Sequence, residues 1–168
     1  MKILFAHGLE GSPNGSKPTW MKESLGWEII CPEMSKNGWT IADQTEVIAE
    51  AISKNEDIDV IIFDIQDVGV RFYTYLSTLH YAMESAARKN KKFIIMDRAN
   101  PNSFYIDGPI LDIKNSSFIG LHPVPIVYGM TIGEYGLMIN GEGWLENNLK
   151  VDLEVIKLKN YNHKLKDR

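Results

Sequence analysis

Three aspartates with two arginines near them occupy two short stretches of this 168-residue chain. Asp64 and Asp67 stand three residues apart where the apolar run DVIIFD ends, and Asp97, Arg98 and Asn100 close the similar run KFIIMD. Carboxyl groups held close together repel one another, so one of them keeps its proton to higher pH and can serve as an acid beside an ionised partner. Arg71 and Arg98 lie close enough in sequence to neutralise these acids as ion pairs. Asp64 and Asp97 have a second reading: an Asp at a strand end caps the next turn or helix through its backbone N–H groups. Asp67, in QDVG, has less need of that role.

The elements that must carry these residues follow from hydrophobic periodicity. Short apolar runs predict strands at Lys2–Ala6, Glu28–Cys31, Asp59–Asp64, Lys92–Asp97, Pro125–Tyr128 and Val151–Lys157. The third and fourth are almost wholly apolar, as strands covered on both faces are. Amphipathic stretches predict helices at Lys17–Leu25, Ile41–Lys54, Arg71–Lys89 and Ile132–Asn140. In the third, Phe72, Tyr75, Leu76, Leu79, Met83 and Ala86 share one stripe, which assigns Tyr75 to the core and leaves Tyr73 for a cleft. Thr40 with Asp43 and Thr131 with Glu134 read as capping boxes, and Gly26 as a helix stop. This alternation predicts an α/β, Rossmann-like three-layer fold with a mostly parallel sheet, a single domain over residues 1–168. Ligands of such sheets bind outside the C-terminal strand ends. His7-Gly8, Asp64 with Asp67, Asp97 with Arg98 and Asn100, and Gly129 with Thr131 all follow strands.

Composition bounds the function. An apolar fraction of 44%, a charged fraction of 24% and a net charge of −4 with both signs interspersed describe a globular domain with no nucleic-acid surface. The single Cys31 excludes an internal disulfide and reads as an inert, buried thiol. No pair among the four histidines has metal-ligand spacing; His80 lies in the amphipathic helix as a structural residue and His163 in a solvated tail. We therefore expect no metal and no cofactor. No run is long enough for a membrane span, and the N-terminal ILFA is too short for a signal-peptide core, which predicts a cytoplasmic chain. Nothing in the sequence sets an oligomeric state.

The segment DVIIFDIQDVGVRFYTYLSTLHYAMESAARKNKKFIIMDRANPN, followed by YIDGPILD, SFIGLHPVPIVYGMTIGEYGLMINGEGWL and KNYNHK, strongly resembles the NamZ-type exo-β-N-acetylmuramidase family from about residue 58 onward. Residues 1–57, with FAHGLEGSPNGSK, look more like the opening of a small esterase-type α/β-hydrolase. The NamZ resemblance implies removal of terminal N-acetylmuramic acid from peptidoglycan fragments, with a muramic-acid-containing saccharide as partner, export to the cell envelope, and a further C-terminal domain in the family. Glycoside hydrolysis calls on two carboxyl groups, and the resemblance makes Asp67, Asp64, Asp97 and His7 the catalytic candidates. Arg71, Tyr73, Arg98, Asn100, His122 and Glu134 become substrate-binding candidates. One arginine is expected to pair with an acid and the other to hold the lactyl carboxylate of muramic acid. Tyr73 would stack on a sugar. Asn100 would bond a hydroxyl or shape the turn before Pro101, and Glu134 would face substrate or complete its capping box. In the family the first strand usually ends in Pro-Glu-His-Gly, whose glutamate is the favoured catalytic carboxylate. Here Ala6 precedes His7-Gly8, and Glu10 lies nearby in sequence. Two alternatives remain. A serine esterase would have to recruit Ser12 or Ser16, because no Gly-x-Ser-x-Gly turn exists. The other is a non-catalytic sugar-binding core.

Overall fold

The two apolar runs ahead of Asp64 and Asp97 form neighbouring strands near the middle of one sheet. In a computed structural model describing residues 1–8, 11–38 and 40–164, the strands are β1 (Lys2–His7), β2 (Glu28–Ile30), β3 (Val60–Asp64), β4 (Lys92–Met96) and β5 (Asp152–Ile156). They lie in the order β2-β1-β3-β4-β5, and every neighbouring pair is parallel. Residues 1–57, for all their hydrolase-like appearance, belong to this same sheet, with β1 hydrogen-bonded between β2 and β3.

Alternate residues of a strand face opposite sides, which divides the core in two. Leu4, Ala6, Ile61, Phe63, Phe93 and Ile95 pack against α2 (Ile41–Lys54), α3 (Tyr75–Arg88) and α4 (Ile132–Glu142). Ile3, Phe5, Ile29 and Ile62 face the other side, where Met21 of α1 (Ser16–Leu25) and Trp27 cover them. Both expected capping boxes form, at Thr40 with Asp43 and at Thr131 with Glu134. Gly26 ends α1 with φ 65°, a left-handed geometry that glycine adopts without a Cβ clash. Cys31 is half-buried just past β2, and burial pushes its thiol up to about 11, which keeps it protonated and unreactive at neutral pH. Among the described residues no helix is long and apolar enough to cross a membrane.

Two expected elements differ. Residues Pro125–Tyr128 form no strand; Val127 makes single antiparallel bridges to Val70 and Asp107. The third helix begins at Tyr75 instead of Arg71, because the Arg71 amide donates to the Ile126 carbonyl (2.8 Å) and the Tyr73 amide to Val70 (3.0 Å). Long-range backbone pairing thus outcompetes the first helical turn, and Phe72, expected on the buried stripe, is 58% exposed. Between β4 and α4 the chain makes a long, largely irregular excursion that these bridges tie back to the segment after β3.

Candidate functional site

β1 leads to β2 on one side while β3 leads to β4 on the other, so the connections diverge above their C-terminal ends. Such a switch point is where open parallel sheets bind ligands. A cleft of about 440 Å³ opens there, lined by His7, Lys17, Asp64, Gln66, Tyr73 and Arg98 among others. His7 and Asp64 are Cα partners in the β1–β3 register, which sets them side by side at the cleft floor. The Asp64 carboxylate is buried with both oxygens engaged. Oδ1 accepts from Arg98 Nε (2.9 Å) and Nη2 (2.6 Å), and Oδ2 from Lys17 Nζ (2.5 Å). Among the described residues of the cleft, two cations thus share one carboxylate.

The ring of His7 lies against Gly11, where a Cβ would overlap it. Nδ1 donates to the Gly8 carbonyl (2.7 Å), which places the neutral ring's proton there and leaves Nε2 as an acceptor. Nε2 is buried and has no hydrogen-bond partner among the described residues. Tyr73 stands edge-on to Tyr75 with ring centroids 5.4 Å apart. Among the described residues of the lining, Asp64 is the one carboxylate; Glu10 lies outside the described residues.

Asp67 does not reach this cleft. It is 4% exposed and lines a small neighbouring pocket that shares Gln66 and Arg98 with the cleft. Oδ2 accepts from the Gly69 amide (2.8 Å) and from the Tyr128 hydroxyl, while Oδ1 has no partner among the described residues. Burial pushes the carboxyl up to about 6, against the pull of the Tyr128 and Gly69 bonds. A folded-state pKa above the ordinary 3.8 means that ionised Asp67 costs stability above pH 6, and that the cost vanishes as pH falls toward 3.8. The difference corresponds to about 3 kcal/mol. Asp67→Asn is therefore expected to raise the melting temperature by several degrees at pH 8 and to leave it nearly unchanged at pH 4. Thermal unfolding at the two pH values checks this, and a loss at pH 8 would show that the charge itself stabilises the fold.

The turn after Asp67 is equally constrained. Gly69 has φ +80°, and a Cβ there would collide with the Asn100 side-chain amide. Gly69→Ala is expected to cost about 2–3 kcal/mol from strain and displacement together, seen as a lower urea midpoint at unchanged slope.

The remaining candidates have structural partners away from the cleft. Asp97 caps α4: its Oδ1 accepts from the Gly133 amide (2.8 Å) and its Oδ2 from Thr131 Oγ1 (3.0 Å). Glu134 completes the capping box through Oε2 (2.9 Å), and Oε1 meets His163 Nε2 at 3.0 Å, so the tail histidine is tied down instead of solvated. Arg71 donates to the Pro109 carbonyl (3.1 Å) and to that of Val124, bracing the long excursion. Asn100 accepts from the Asn102 amide and donates to the Met130 carbonyl, both at 2.8 Å, which is its turn-shaping role. His122 is buried, with Nε2 3.0 Å from His80 Nδ1, Nδ1 3.1 Å from the Tyr135 hydroxyl, and its ring stacked on Trp144. Ser12 Oγ accepts from the Asn14 amide (3.2 Å), and neither Ser12 nor Ser16 is bonded to His7, so the cleft holds no serine–histidine pair. The structure thus gathers His7, Asp64, Tyr73 and Arg98. It adds Lys17 and Gln66, of which Lys17 carried a signal, a lysine at a helix start behind a Gly/Ser-rich loop.

The family described as the N-terminal part of exo-β-N-acetylmuramidase NamZ matches residues 42–167. The chain belongs to the NamZ family. It is 44% identical over 111 residues to the peptidoglycan β-N-acetylmuramidase NamZ of Bacillus subtilis (strain 168), which covers 66% of this chain and 26% of that protein. Two crystal structures of DUF1343 family proteins from Bacteroides fragilis NCTC 9343 also match. One has a TM-score of 0.78 at 36% identity over 99% of this chain and 49% of the other. The second has a TM-score of 0.79 at 30% identity over 98% and 47%. The chain thus spans about a quarter of the B. subtilis NamZ protein and about half of each solved chain. Because the solved chains match nearly all of it, the hydrolase-like opening is part of the same fold as the NamZ core.

Proposed function

We propose that this domain binds a saccharide ending in N-acetylmuramic acid between β1 and β3 and hydrolyses its β-glycosidic bond. The observation that carries this reading is the meeting of His7, Asp64 and two cations at the sheet's switch point in a chain of the NamZ family. The B. subtilis relative is named for that activity on peptidoglycan, and the family description specifies the exo mode.

Glycoside hydrolysis requires proton transfer at the leaving oxygen and the attacking water. His7 Nε2, an acceptor without a partner among the described residues, takes a proton from the attacking water and returns it to the leaving oxygen. Asp64, with both oxygens held, acts through Arg98 and Lys17, fixing them toward the saccharide as a positioning residue. Tyr73, half exposed at the cleft, offers its ring to a sugar face. The test is turnover of a chromogenic β-glycoside of N-acetylmuramic acid by the purified domain. Release of the chromophore is expected, and a correctly folded domain without turnover or binding would overturn the proposal.

A further inference from the structure

Gln66 is an exposed residue of the cleft lining with no part in the proton transfer above, yet its side chain is held in place. Ile65 turns into the core with Phe63, so Gln66 stands on the same side of the chain as Asp64, just past the strand end. Its Nε2 donates to the Asp67 carbonyl (2.5 Å) and to the Ala99 carbonyl (2.8 Å), which ties the segment after β3 to the one after β4. Both partners are pure acceptors, so the amide nitrogen faces them and the oxygen is the end left over. Oε1 has no partner among the described residues.

The residue is also set close to His7. His7 and Asp64 are register partners, and a Cβ on Gly8 would stand 4.0 Å from the Gln66 backbone nitrogen, so the segments after β1 and β3 run side by side. Both Asp64 oxygens are engaged by cations. Among the described side chains of the lining, the free atoms that accept without carrying a hydrogen are therefore His7 Nε2 and Gln66 Oε1. A water molecule has two hydrogens, one for each.

We infer that Gln66 Oε1 and His7 Nε2 together hold the attacking water, which makes Gln66 a catalytic residue of the hydrolysis. The inference rests on the saccharide reading above. In the step, the water oxygen bonds to the anomeric carbon as the bond from that carbon to the leaving oxygen breaks. One water hydrogen passes to His7 Nε2 and from there to the leaving oxygen. The other stays on the new anomeric hydroxyl, donated throughout to Gln66 Oε1. A glutamine amide orients a nucleophilic water in the same way in GTP hydrolysis.

The experiment measures how a chromogenic β-glycoside of N-acetylmuramic acid partitions between water and methanol added as a second nucleophile. Methanol has a single hydroxyl hydrogen, which goes to His7, and has none to give Gln66. In Gln66→Met, which keeps the length of the side chain without its polar groups, hydrolysis should fall about 100-fold and methanolysis about tenfold. The yield of methyl glycoside over free N-acetylmuramic acid should then rise about tenfold. Folded molecules alone set this ratio, so a smaller folded fraction does not move it. Gln66→Glu keeps an acceptor oxygen and loses the hydrogens for the two carbonyls, which separates the loop clamp from the water. Its ratio should stay within about threefold of wild type. Equal losses of hydrolysis and methanolysis in Gln66→Met would reduce Gln66 to a clamp between two loops, overturning the inference and leaving the saccharide reading standing. Absence of both products with the wild-type domain would overturn the hydrolysis and the water site with it.

Discussion

Replacing Asp64 with Asn is expected to lower kcat/KM for a chromogenic N-acetylmuramic acid glycoside about 100-fold, with most of the loss in KM. A factor of 100 corresponds to about 3 kcal/mol of transition-state stabilisation. Its source is the disposition of charge in the cleft. Asp64 Oδ1 holds the Arg98 guanidinium through two hydrogen bonds and Oδ2 holds Lys17 Nζ. An Asn keeps one acceptor and loses the charge, so the two cations are no longer fixed toward the substrate. Arg98 and Lys17 side chains are 35% and 49% exposed and can turn to water, so the fold should lose only about 1–2 kcal/mol. Steady-state kinetics with thermal unfolding of the same variant separates the effects. Loss confined to kcat at unchanged KM would make Asp64 a group that acts on the bond itself. Unchanged kinetics would remove the cleft from the reaction.

Protonation on acidification from pH 7 to pH 4 should cost the folded domain several kcal/mol through His122 and His80, before the opposing gain at Asp67. Burial pushes His122 down to about 3, helped by the charge His80 would carry, and burial also lowers His80 against the attraction of Glu84. The folded state resists a proton that the unfolded chain accepts near 6.5, so the contribution is complete above that pH and is lost as pH falls toward 3. For His122 alone it is of the order of 4 kcal/mol. That is a large share of the 5–15 kcal/mol typical of a domain. The groups around the pair are Glu84 at 3.4 Å from His80 Nε2, Arg88 bonded to Glu84, Tyr135 and the stacked Trp144. Asp67 works in the opposite direction over the same range and offsets more than half of the His122 loss. Urea unfolding at pH 7, 5.5 and 4.5 should show a shallow decline in the wild type, and in His122→Phe, which retains a ring for Trp144, a level or rising stability. An equal slope in both would place the responsible proton elsewhere.

Much of this architecture is set by interactions between near neighbours, and those were readable in the chain. The apolar runs of β3 and β4 need only their own composition to demand burial on two faces. The capping boxes at Thr40 and Thr131 close over three residues, and Gly26 stops its helix by its own φ. The polar residues behind the strands announced a site at one sheet edge, and the long motifs announced the NamZ family. The roles of the individual polar residues depend on partners far away in sequence, and only the tertiary structure decided them. Asp64 and Asp67 look alike as residues after one strand. Lys17 and Arg98, 47 and 34 residues distant, draw Asp64 into the cleft, while Tyr128, 61 residues distant, draws Asp67 behind it. The carbonyls of Pro109 and Val124 claim Arg71, which left Arg98 for the carboxylate. The Ile126 carbonyl claimed the Arg71 amide and moved the start of α3 to Tyr75. Hydrogen bonds and desolvation act over a few ångströms in space without regard to separation along the chain. The sequence by itself therefore determined five strands and four helices and the sheet edge at which the polar residues gather, and tertiary packing decided that Pro125–Tyr128 forms no strand, where α3 begins and which acid faces the cleft.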